Sequence, residues 1–254
     1  MPADCLQGID AVILAGGMGT RLRSVLPDSP KCLAPIAGVP FLRRYMCWLQ
    51  RFGLRRVILS LGYKADLVQA YLRSETWPGL EIVTSVESLP LGTGGALRAV
   101  LPLVNSQTVL VANGDSFTGV NACEFVSFHK KKNARVSMLL TKHEESKASG
   151  RVETDKNDAV TSFSEKPPGA SNEPAYINAG MYLMEREAIL EIPLDKPVSL
   201  ECDIFPGLCD RHFFALKGAF SFIDIGTPES FRIAGEFFAS RIDTPDRNDT
   251  LSIK

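Results

Sequence analysis

The sequence predicts an α/β fold in which helices cover both faces of an open, mostly parallel sheet. Short apolar segments typical of buried strands alternate with helical segments through the first half of the chain. Glycine-rich or acidic turns follow three of those apolar segments. Open parallel sheets bind ligands beyond the carboxyl ends of their strands. We therefore predict a Rossmann-like core with one binding site along that edge.

The first half of the chain supplies the alternation. Four segments are predicted to be strands: residues 11–15, 56–61, 80–86 and 107–112. The first has the composition of a buried parallel strand, and the second is also apolar. Three segments with helical character separate or follow them: residues 40–52, 64–73 and 94–103. Pro40 suits the first turn of its helix, and Gly53 stands just past the end of that helix.

The second half is less regular. It contains three further predicted strands, at residues 136–141, 160–163 and 179–184, with proline-containing loops between them. We predict that these elements form a smaller lobe on the same sheet. The last residues, 244–254, are polar and are interpreted as a frayed tail. The chain is thus predicted to be one domain, residues 1–243, followed by this tail.

The bulk composition excludes several classes of protein. The chain has 254 residues and a formal net charge of −1, whereas a sequence-independent nucleic-acid binder is clearly basic. No apolar run is long enough to cross a bilayer, and no signal-peptide pattern is seen. The six cysteines form no C-x-x-C pair and no zinc-site spacing, so each is interpreted as small core filler. We expect a cytoplasmic protein with neither a nucleic-acid nor a membrane partner.

The segment AVILAGGMGTRLRSVLPDSPKCLAP, residues 11–35, is the most informative part of the chain. Three glycines follow the predicted strand, and two cations follow the glycines: Gly16, Gly17, Gly19, Arg21 and Lys31. Backbone amides and fixed cations in such a loop can surround phosphate oxygens. The loop does not match the dinucleotide pattern G-x-G-x-x-G, because Leu22 replaces the third small residue. It is not a P-loop either, since the chain has no Gly-Lys-Ser/Thr triplet.

Six motifs together resemble the sugar-1-phosphate nucleotidylyltransferases, also called sugar nucleotide pyrophosphorylases. They are LAGGMGTRL at residues 14–22, PK at 30–31, NGD at 113–115, SEKP at 164–167, NAG at 178–180 and FIDIGTP at 222–228. The likeness covers nearly the whole chain and implies the fold of nucleotide-diphospho-sugar transferases. Within the family, PLGTGGA at residues 90–96 is most similar to the D-glycero-α-D-manno-heptose 1-phosphate guanylyltransferases.

The resemblance implies a role for individual residues. Arg21 and Lys31 would be catalytic: Arg21 would hold the departing β- and γ-phosphates, and Lys31 would bridge the α-phosphate and the incoming sugar phosphate. The nucleotide would be bound by Leu14, Ala15, Gly16, Gly17, Gly19, Thr20, Arg21, Glu87, Gly92 and Thr93. The sugar phosphate would be bound by Asn113, Gly114, Glu165, Lys166, Asn178 and Gly180. Asp115 and Asp224 would be metal ligands.

The two aspartates also have a physical argument. Each follows an apolar segment, where a charge is costly unless it is paired or coordinates a metal. Two carboxylates suit Mg²⁺, which keeps several waters and takes phosphate oxygens. In the implied reaction an anionic sugar phosphate attacks the α-phosphorus and pyrophosphate leaves, so positioning and charge neutralisation matter more than a base. Glu201 and Asp203 are interpreted as an acidic first helical turn and are assigned no role in the site.

The base and the sugar are predicted less directly. Glu87 follows a predicted strand, and a carboxylate can accept from both N1–H and the 2-amino group of guanine. GTP and a heptose 1-phosphate are therefore the favoured substrates, for surface polysaccharide synthesis. Three alternatives stay open: another base, another sugar, and a non-catalytic subunit that senses nucleotide sugars. The sequence does not fix the oligomeric state, and a homo-oligomer is compatible with it.

Overall fold

The computed structural model describes residues 4–143, 151–164, 175–194, 196–209 and 211–241. Its strands are β1 (Asp10–Ala15), β2 (Pro35–Ile36), β3 (Val39–Pro40), β4 (Arg56–Leu61), β5 (Glu81–Val86), β6 (Thr108–Asn113), β7 (Ser116–Gly119), β8 (Val136–His143), β9 (Arg151–Thr154), β10 (Val160–Ser164), β11 (Ala175–Glu185), β12 (Phe213–Gly218) and β13 (Ser221–Asp224). Its α-helices are α1 (Phe41–Gln50), α2 (Ala65–Ser74), α3 (Gly92–Val100), α4 (Ala122–Lys131), α5 (Arg186–Leu190), α6 (Phe205–Leu208) and α7 (Pro228–Arg241).

One large sheet organises the chain. Its path is β10-β9-β11-β6-β1-β4-β5, and β8 joins it through β11 while β12 pairs with β8. Strands β6, β1, β4 and β5 are all parallel, which confirms the predicted Rossmann-like core. The second half adds β11 antiparallel to β6, with β8 and β9 antiparallel to β11. Two small ladders, β7–β13 and β2–β3, lie outside this sheet.

Side chains of β1 show why helices cover both faces of the sheet. Ala11 and Ile13 belong to one buried cluster and Val12 belongs to the other, because successive residues of a strand point to opposite faces. Helices α1, α2, α4 and α7 contribute to the first cluster, while α3, α5 and α6 contribute to the second. The central strands β1, β4 and β6 therefore have buried, mostly apolar interiors, as expected for strands covered on both sides, whereas β5, at the end of the sheet, is only partly buried.

The predicted elements of the first half lie close to the observed ones. Strand β4 has the predicted bounds, whereas the helix predicted at 94–103 begins two residues earlier and gives way to a 3₁₀ turn at Leu101–Leu103. Strand β12 and helix α4 were not predicted. No helix among the described residues is both long and apolar enough to cross a membrane.

The structure corrects the interpretation of two cysteines. Cys5 and Cys123 form a disulfide with a Cα–Cα distance of 5.3 Å, although 118 positions separate them in sequence. The N-terminal turn packs beside the end of α1, where the amide of Leu6 donates to the carbonyl of Phe52, and this brings Cys5 to the start of α4. Sequence spacing alone carries no information about such a distant pair. Of the other cysteines, only Cys32 is buried as core filler.

Candidate active site

A cavity of about 570 Å³ opens at the carboxyl ends of the parallel strands. It lies where the chain, having added β4 and β5 on one side of β1, returns to add β6 on the other. Such a reversal of strand order leaves a crevice above the sheet. The cavity is lined by strand ends and by the loops that follow β1, β5 and β6, together with parts of α3, β11 and β13.

Most residues predicted for the site line this cavity. They are Leu14, Ala15, Gly16, Gly17, Gly19, Arg21, Lys31, Glu87, Gly92, Thr93, Asn113, Gly114, Asp115, Asn178, Gly180 and Asp224. Thr20 does not line it and is exposed to solvent. Glu165 and Lys166 lie outside the residues that the structure describes.

Two cations approach the cavity from the loop after β1. Arg21 is exposed on a short 3₁₀ turn, Thr20–Leu22, whose Leu22 is buried in the core and anchors it. The guanidinium of Arg21 reaches the neighbourhood of Gly226 and Asp224. The ammonium of Lys31 lies 2.9 Å from Oδ2 of Asp115, and its side chain is only 15% exposed.

The two predicted metal ligands lie side by side. Asp224 ends β13 and pairs in register with Ser116, the neighbour of Asp115, while the amide of Ile225 donates to the carbonyl of Asp115 at 2.9 Å. Burial raises the pKa of Asp224, and the charge of Asp115 raises it further against the opposing effects of Lys31 and Arg21. A half-buried pair of like charges is what a divalent cation would relieve.

The donor set fits a hard cation that takes most of its ligands from substrate and water. Among the described residues, no group of three or more His, Cys, Asp or Glu side chains could hold a metal ion. A dedicated all-protein cage is therefore not seen in this part of the chain. Two carboxylates at the wall of an open cavity fit Mg²⁺, which usually binds through one or two carboxylates plus phosphate oxygens.

Glu87 fixes the far side of the cavity. Its Oε2 accepts from the amide of Leu91 at 3.0 Å. A methyl group added at Gly16 would lie 2.5 Å from Oε1 of Glu87, so only glycine allows the carboxylate to approach the first loop this closely. Glu87 thus joins the loops after β1 and β5, and it also lines the cavity.

The amino end of α3 is occupied by protein. The amides of Gly94 and Gly95 both donate to the carbonyl of Val198, at 2.8 and 3.1 Å. The hydroxyl of Thr93 accepts from the amide of Leu200 and donates to Oε2 of Glu201 at 2.6 Å. Gly92 and Thr93 line the cavity as predicted, but these helix amides are not free to bind phosphate.

On the opposite side, a bulge in β11 presents Asn178. The pairing of β11 with β8 shifts between Asn178 and Tyr182. The side-chain amide of Asn178 donates to the hydroxyl of Tyr182 at 2.7 Å, and its oxygen accepts from the amide of Gly180 at 3.1 Å. These contacts fix the orientation of Asn178. Nearby, Oδ1 of Asn113 and Oγ of Ser116 are buried without a hydrogen-bond partner among the described residues.

Sequence reasoning missed several residues of the cavity wall. They include Ser60, Ser116, Glu201 and Phe222. Phe222 lies in a motif that pointed to Asp224, and Glu201 lies in the acidic turn left without a role. Ser60 is an interior position of β4, and nothing in its sequence context distinguishes it from core. The histidines behave as expected where described: His129 is buried and His212 is exposed.

Comparison with known proteins identifies relatives that match most of the chain. The nucleotidyl transferase family model matches residues 10–241. A mannose-1-phosphate guanylyltransferase of Mycobacterium tuberculosis is 36% identical over 226 residues, which are 88% of this chain and 62% of that protein. A D-glycero-α-D-manno-heptose 1-phosphate guanylyltransferase of Campylobacter jejuni is 32% identical over 228 residues, or 88% of this chain and 97% of that protein.

A solved structure gives the same result in three dimensions. HddC from Yersinia pseudotuberculosis superimposes with a TM-score of 0.81 at 34% identity, covering 91% of this chain and 99% of HddC. The complex of HddC with GMP-PN superimposes with a TM-score of 0.79. The predicted fold class is thereby confirmed. The chain spans less than two thirds of the mycobacterial relative but nearly all of the Campylobacter relative and of HddC.

Proposed function

Because this chain belongs to the nucleotidyl transferase family, we propose that it is a sugar-1-phosphate guanylyltransferase that transfers GMP from GTP to a sugar 1-phosphate. The observation that carries the proposal is one cavity in which Arg21, Lys31, Asp115 and Asp224 converge. Two cations and two carboxylates suit phosphoryl transfer, whose barrier is lowered mainly by positioning and charge neutralisation. The two matched relatives, a mannose-1-phosphate and a heptose 1-phosphate guanylyltransferase, support the same activity.

The residues of the cavity divide the work between them. Arg21, on its anchored turn, would bind the β- and γ-phosphates and stabilise the charge that builds on leaving pyrophosphate. Lys31 would contact the α-phosphate and the attacking sugar phosphate, which is already anionic and needs no general base. Asp115 and Asp224 would hold Mg²⁺, and that ion would supply neutralisation of the phosphate oxygens. Lys166, by family likeness, would bind the phosphate of the sugar.

We assign recognition of guanine to Glu87. Its Oε2 already accepts from Leu91, yet each carboxylate oxygen has a second lone pair and can accept again. The two adjacent donors of guanine match the two oxygens, whereas uracil offers only one donor. Loss of a charge-assisted hydrogen bond costs about 1.5–3 kcal/mol, so Glu87→Gln should lower the preference for GTP over UTP by about tenfold or more.

Glu81→Gln provides the matched control for that substitution. Glu81 begins the same strand, β5, at the end away from the cavity, and it pairs with Arg56. Its replacement should leave base preference unchanged. A wild-type enzyme that prefers UTP, or a Glu87 variant that selects bases as the wild type does, would contradict the assignment.

The sugar is proposed to be D-glycero-α-D-manno-heptose 1-phosphate. Support comes from the PLGTGGA segment and from the heptose-specific relative, which is 32% identical to this chain. Mannose 1-phosphate is the second candidate, since the mannose-specific relative has the higher identity. The product would be GDP-heptose for surface polysaccharide, made in the cytoplasm.

A pyrophosphate-release screen tests the function directly. Four nucleoside triphosphates should be combined with heptose, mannose, glucose and N-acetylglucosamine 1-phosphates, with and without Mg²⁺. We expect release only when GTP, a manno-configured sugar 1-phosphate and Mg²⁺ are all present. Turnover that survives exhaustive chelation would contradict the metal requirement. Nucleotide binding without any release would identify the chain as a sensing subunit instead.

A further inference from the structure

The proposed function leaves one carboxylate of the cavity unused. Glu201 lines the cavity and belongs to a π-helical turn, Leu200–Ile204, that the sequence marked only as acidic. Two hydroxyls hold one of its oxygens: Oε2 accepts from Thr93 at 2.6 Å and from Ser199 at 3.0 Å. Within the described part of the chain, no hydrogen bond to its Oε1 is seen. A residue of the cavity wall therefore has one oxygen held in place and a second acceptor oxygen that no described residue engages.

Close backbone packing holds the segment that carries Glu201 in place. The segment before it lies directly on the amino end of α3, where a methyl group added at Gly92 would come 2.5 Å from the carbonyl oxygen of Val198. A methyl group at Gly95 would come 2.7 Å from the carbonyl oxygen of Lys196. Ser199 caps the turn by accepting from the amides of Glu201 and Cys202. The conformation of Glu201 is thus fixed by contacts on both sides.

Contacts of the turn that carries Glu201 extend toward Asn178, on the side of the cavity proposed for the sugar acceptor. The π-helical turn packs against β10, which ends at Ser164, the first residue of the SEKP motif in the sequence. The turn leads into Phe205, whose ring lies 4.9 Å from that of Tyr182. The hydroxyl of Tyr182 in turn accepts from Asn178. Glu87, the carboxylate assigned to the base, follows β5, and its Oε2 accepts from the amide of Leu91 just before α3.

We propose that Glu201 is a specificity-determining residue that accepts a hydrogen bond from a hydroxyl of the sugar 1-phosphate through Oε1. This inference rests on the proposed function, because it assumes a sugar phosphate in the cavity. A carboxylate only accepts hydrogen bonds, and a sugar hydroxyl is a ready donor. Thr93 then acts as a positioning residue, since it holds Glu201 without needing to contact the sugar.

Glu201→Gln in the full chain tests the proposal. The amide oxygen can still accept from Thr93 and Ser199, while an NH₂ group replaces the free acceptor. We expect the KM for the sugar 1-phosphate to rise about ten- to hundredfold, with the KM for GTP and the melting temperature unchanged. An unchanged sugar KM, or equal loss for both substrates, would overturn the proposal. A rise in the GTP KM alone would also overturn it, because Glu201 would then contact the ribose.

Asp203→Asn is the matched control. Asp203 belongs to the same turn and accepts from the amide of Ser199 at 2.7 Å, but it does not line the cavity. If Glu201 merely stabilised the turn, the two variants would behave alike, and that result would overturn the proposal. We expect Asp203→Asn to change stability without changing the sugar KM.

Deoxy sugar phosphates give a measurement that does not depend on the variant folding. The test uses mannose 1-phosphates that each lack one hydroxyl. One of these analogues should bind the wild type about tenfold or more weakly than the parent sugar does. The Glu201→Gln variant should bind that analogue no worse than it binds the parent sugar. Calorimetric titration, with a non-hydrolysable GTP analogue bound, reports this without turnover. Further weakening in the variant for every analogue would overturn the proposal. Absence of turnover by the wild type would instead contradict the proposed function.

Discussion

The two sides of the cavity are built differently. The side that carries the proposed phosphate, base and metal contacts consists of the loops that follow β1, β5 and β6, three parallel strands of one sheet. The side proposed for the sugar acceptor combines the bulged antiparallel strand β11 with a turn at residues 196–204. This turn contacts α3 through the hydrogen bond between Thr93 and Glu201, which lie 108 positions apart in the sequence. Regular topology thus positions the residues proposed for phosphate chemistry, whereas long-range contacts position those proposed for the sugar. Substitutions on the two sides should therefore differ in their effects on turnover, on substrate binding and on stability.

Loss of either metal-site carboxylate should have the largest effect. Asp115→Asn and Asp224→Asn keep the shape of the side chain but remove the charge that a cation needs. Removing one electrostatic stabiliser costs about 10²–10³ in rate, so we expect kcat to fall by that factor while the protein stays folded. Steady-state pyrophosphate release at saturating substrates measures it. Near-normal kinetics with normal Mg²⁺ dependence would show that the metal assignment is wrong.

Asp155→Asn serves as the control for both variants. Asp155 accepts from the amides of Asn157 and Ala159 in an exposed turn and does not line the cavity. Its kinetics should match those of the wild type. A comparable loss of rate in this variant would mean that the effect of the substitution is not specific to the site.

Glycine substitutions should separate the turn that carries Glu201 from the glycine loop after β1 by their effect on stability. Gly92 has a φ of +69°, and an added methyl group would come 2.5 Å from the carbonyl oxygen of Val198. Gly92→Ala should lower the free energy of unfolding by at least about 1–2 kcal/mol and should release the segment that carries Glu201. Gly17 lies in the nucleotide loop, where an added methyl group meets no atom within 4 Å. Gly17→Ala should leave urea denaturation nearly unchanged, and equal losses in both variants would contradict this picture.

Mg²⁺ itself should change stability by a smaller amount. At a free concentration ten times the Kd, a ligand that binds only the folded state adds about 1.4 kcal/mol, so Mg²⁺ should raise the melting temperature of the wild type without any substrate. The repulsion between Asp115 and Asp224 is the physical reason, and Asp224→Asn should abolish the shift. An identical shift in the wild type and the variant would place the bound ion elsewhere on the protein.

The same contrast explains what the sequence could predict. The strand at 56–61, the glycine loop and Asp115 follow from local apolar periodicity and from the rule that ligands bind at parallel strand ends. Glu201 could not be placed in this way, because its position depends on Val198 lying against the glycines of α3. The disulfide between Cys5 and Cys123 was missed for a similar reason. Pairings over more than a hundred positions leave no periodic pattern in the sequence.

The smallest effect is expected from a buried histidine near the amino end of β6, away from the cavity. Nδ1 of His129 lies 2.8 Å from Oγ of Ser137, and Nε2 lies 3.0 Å from Oε1 of Glu185. Glu185 also accepts from Thr108, at the first residue of β6 and so at the end of that strand away from the cavity. Burial lowers the pKa of His129 below its ordinary value of 6.5, with a smaller contribution from Lys130 and against the opposing effect of Glu185.

The sign of the resulting pH dependence follows from proton binding. Below about pH 6.5, the ordinary value for histidine, the unfolded chain binds a proton at His129 more readily than the folded chain does, so stability falls as the pH is lowered through this window. His129→Gln should flatten the difference in unfolding free energy between pH 8 and pH 5.5, whereas His212→Gln, at an exposed position, should not. Because the network lies away from both sides of the cavity, the KM for the sugar and for GTP should not follow this titration. Parallel changes in stability and sugar KM would show that the side proposed for the sugar acceptor is coupled to this network.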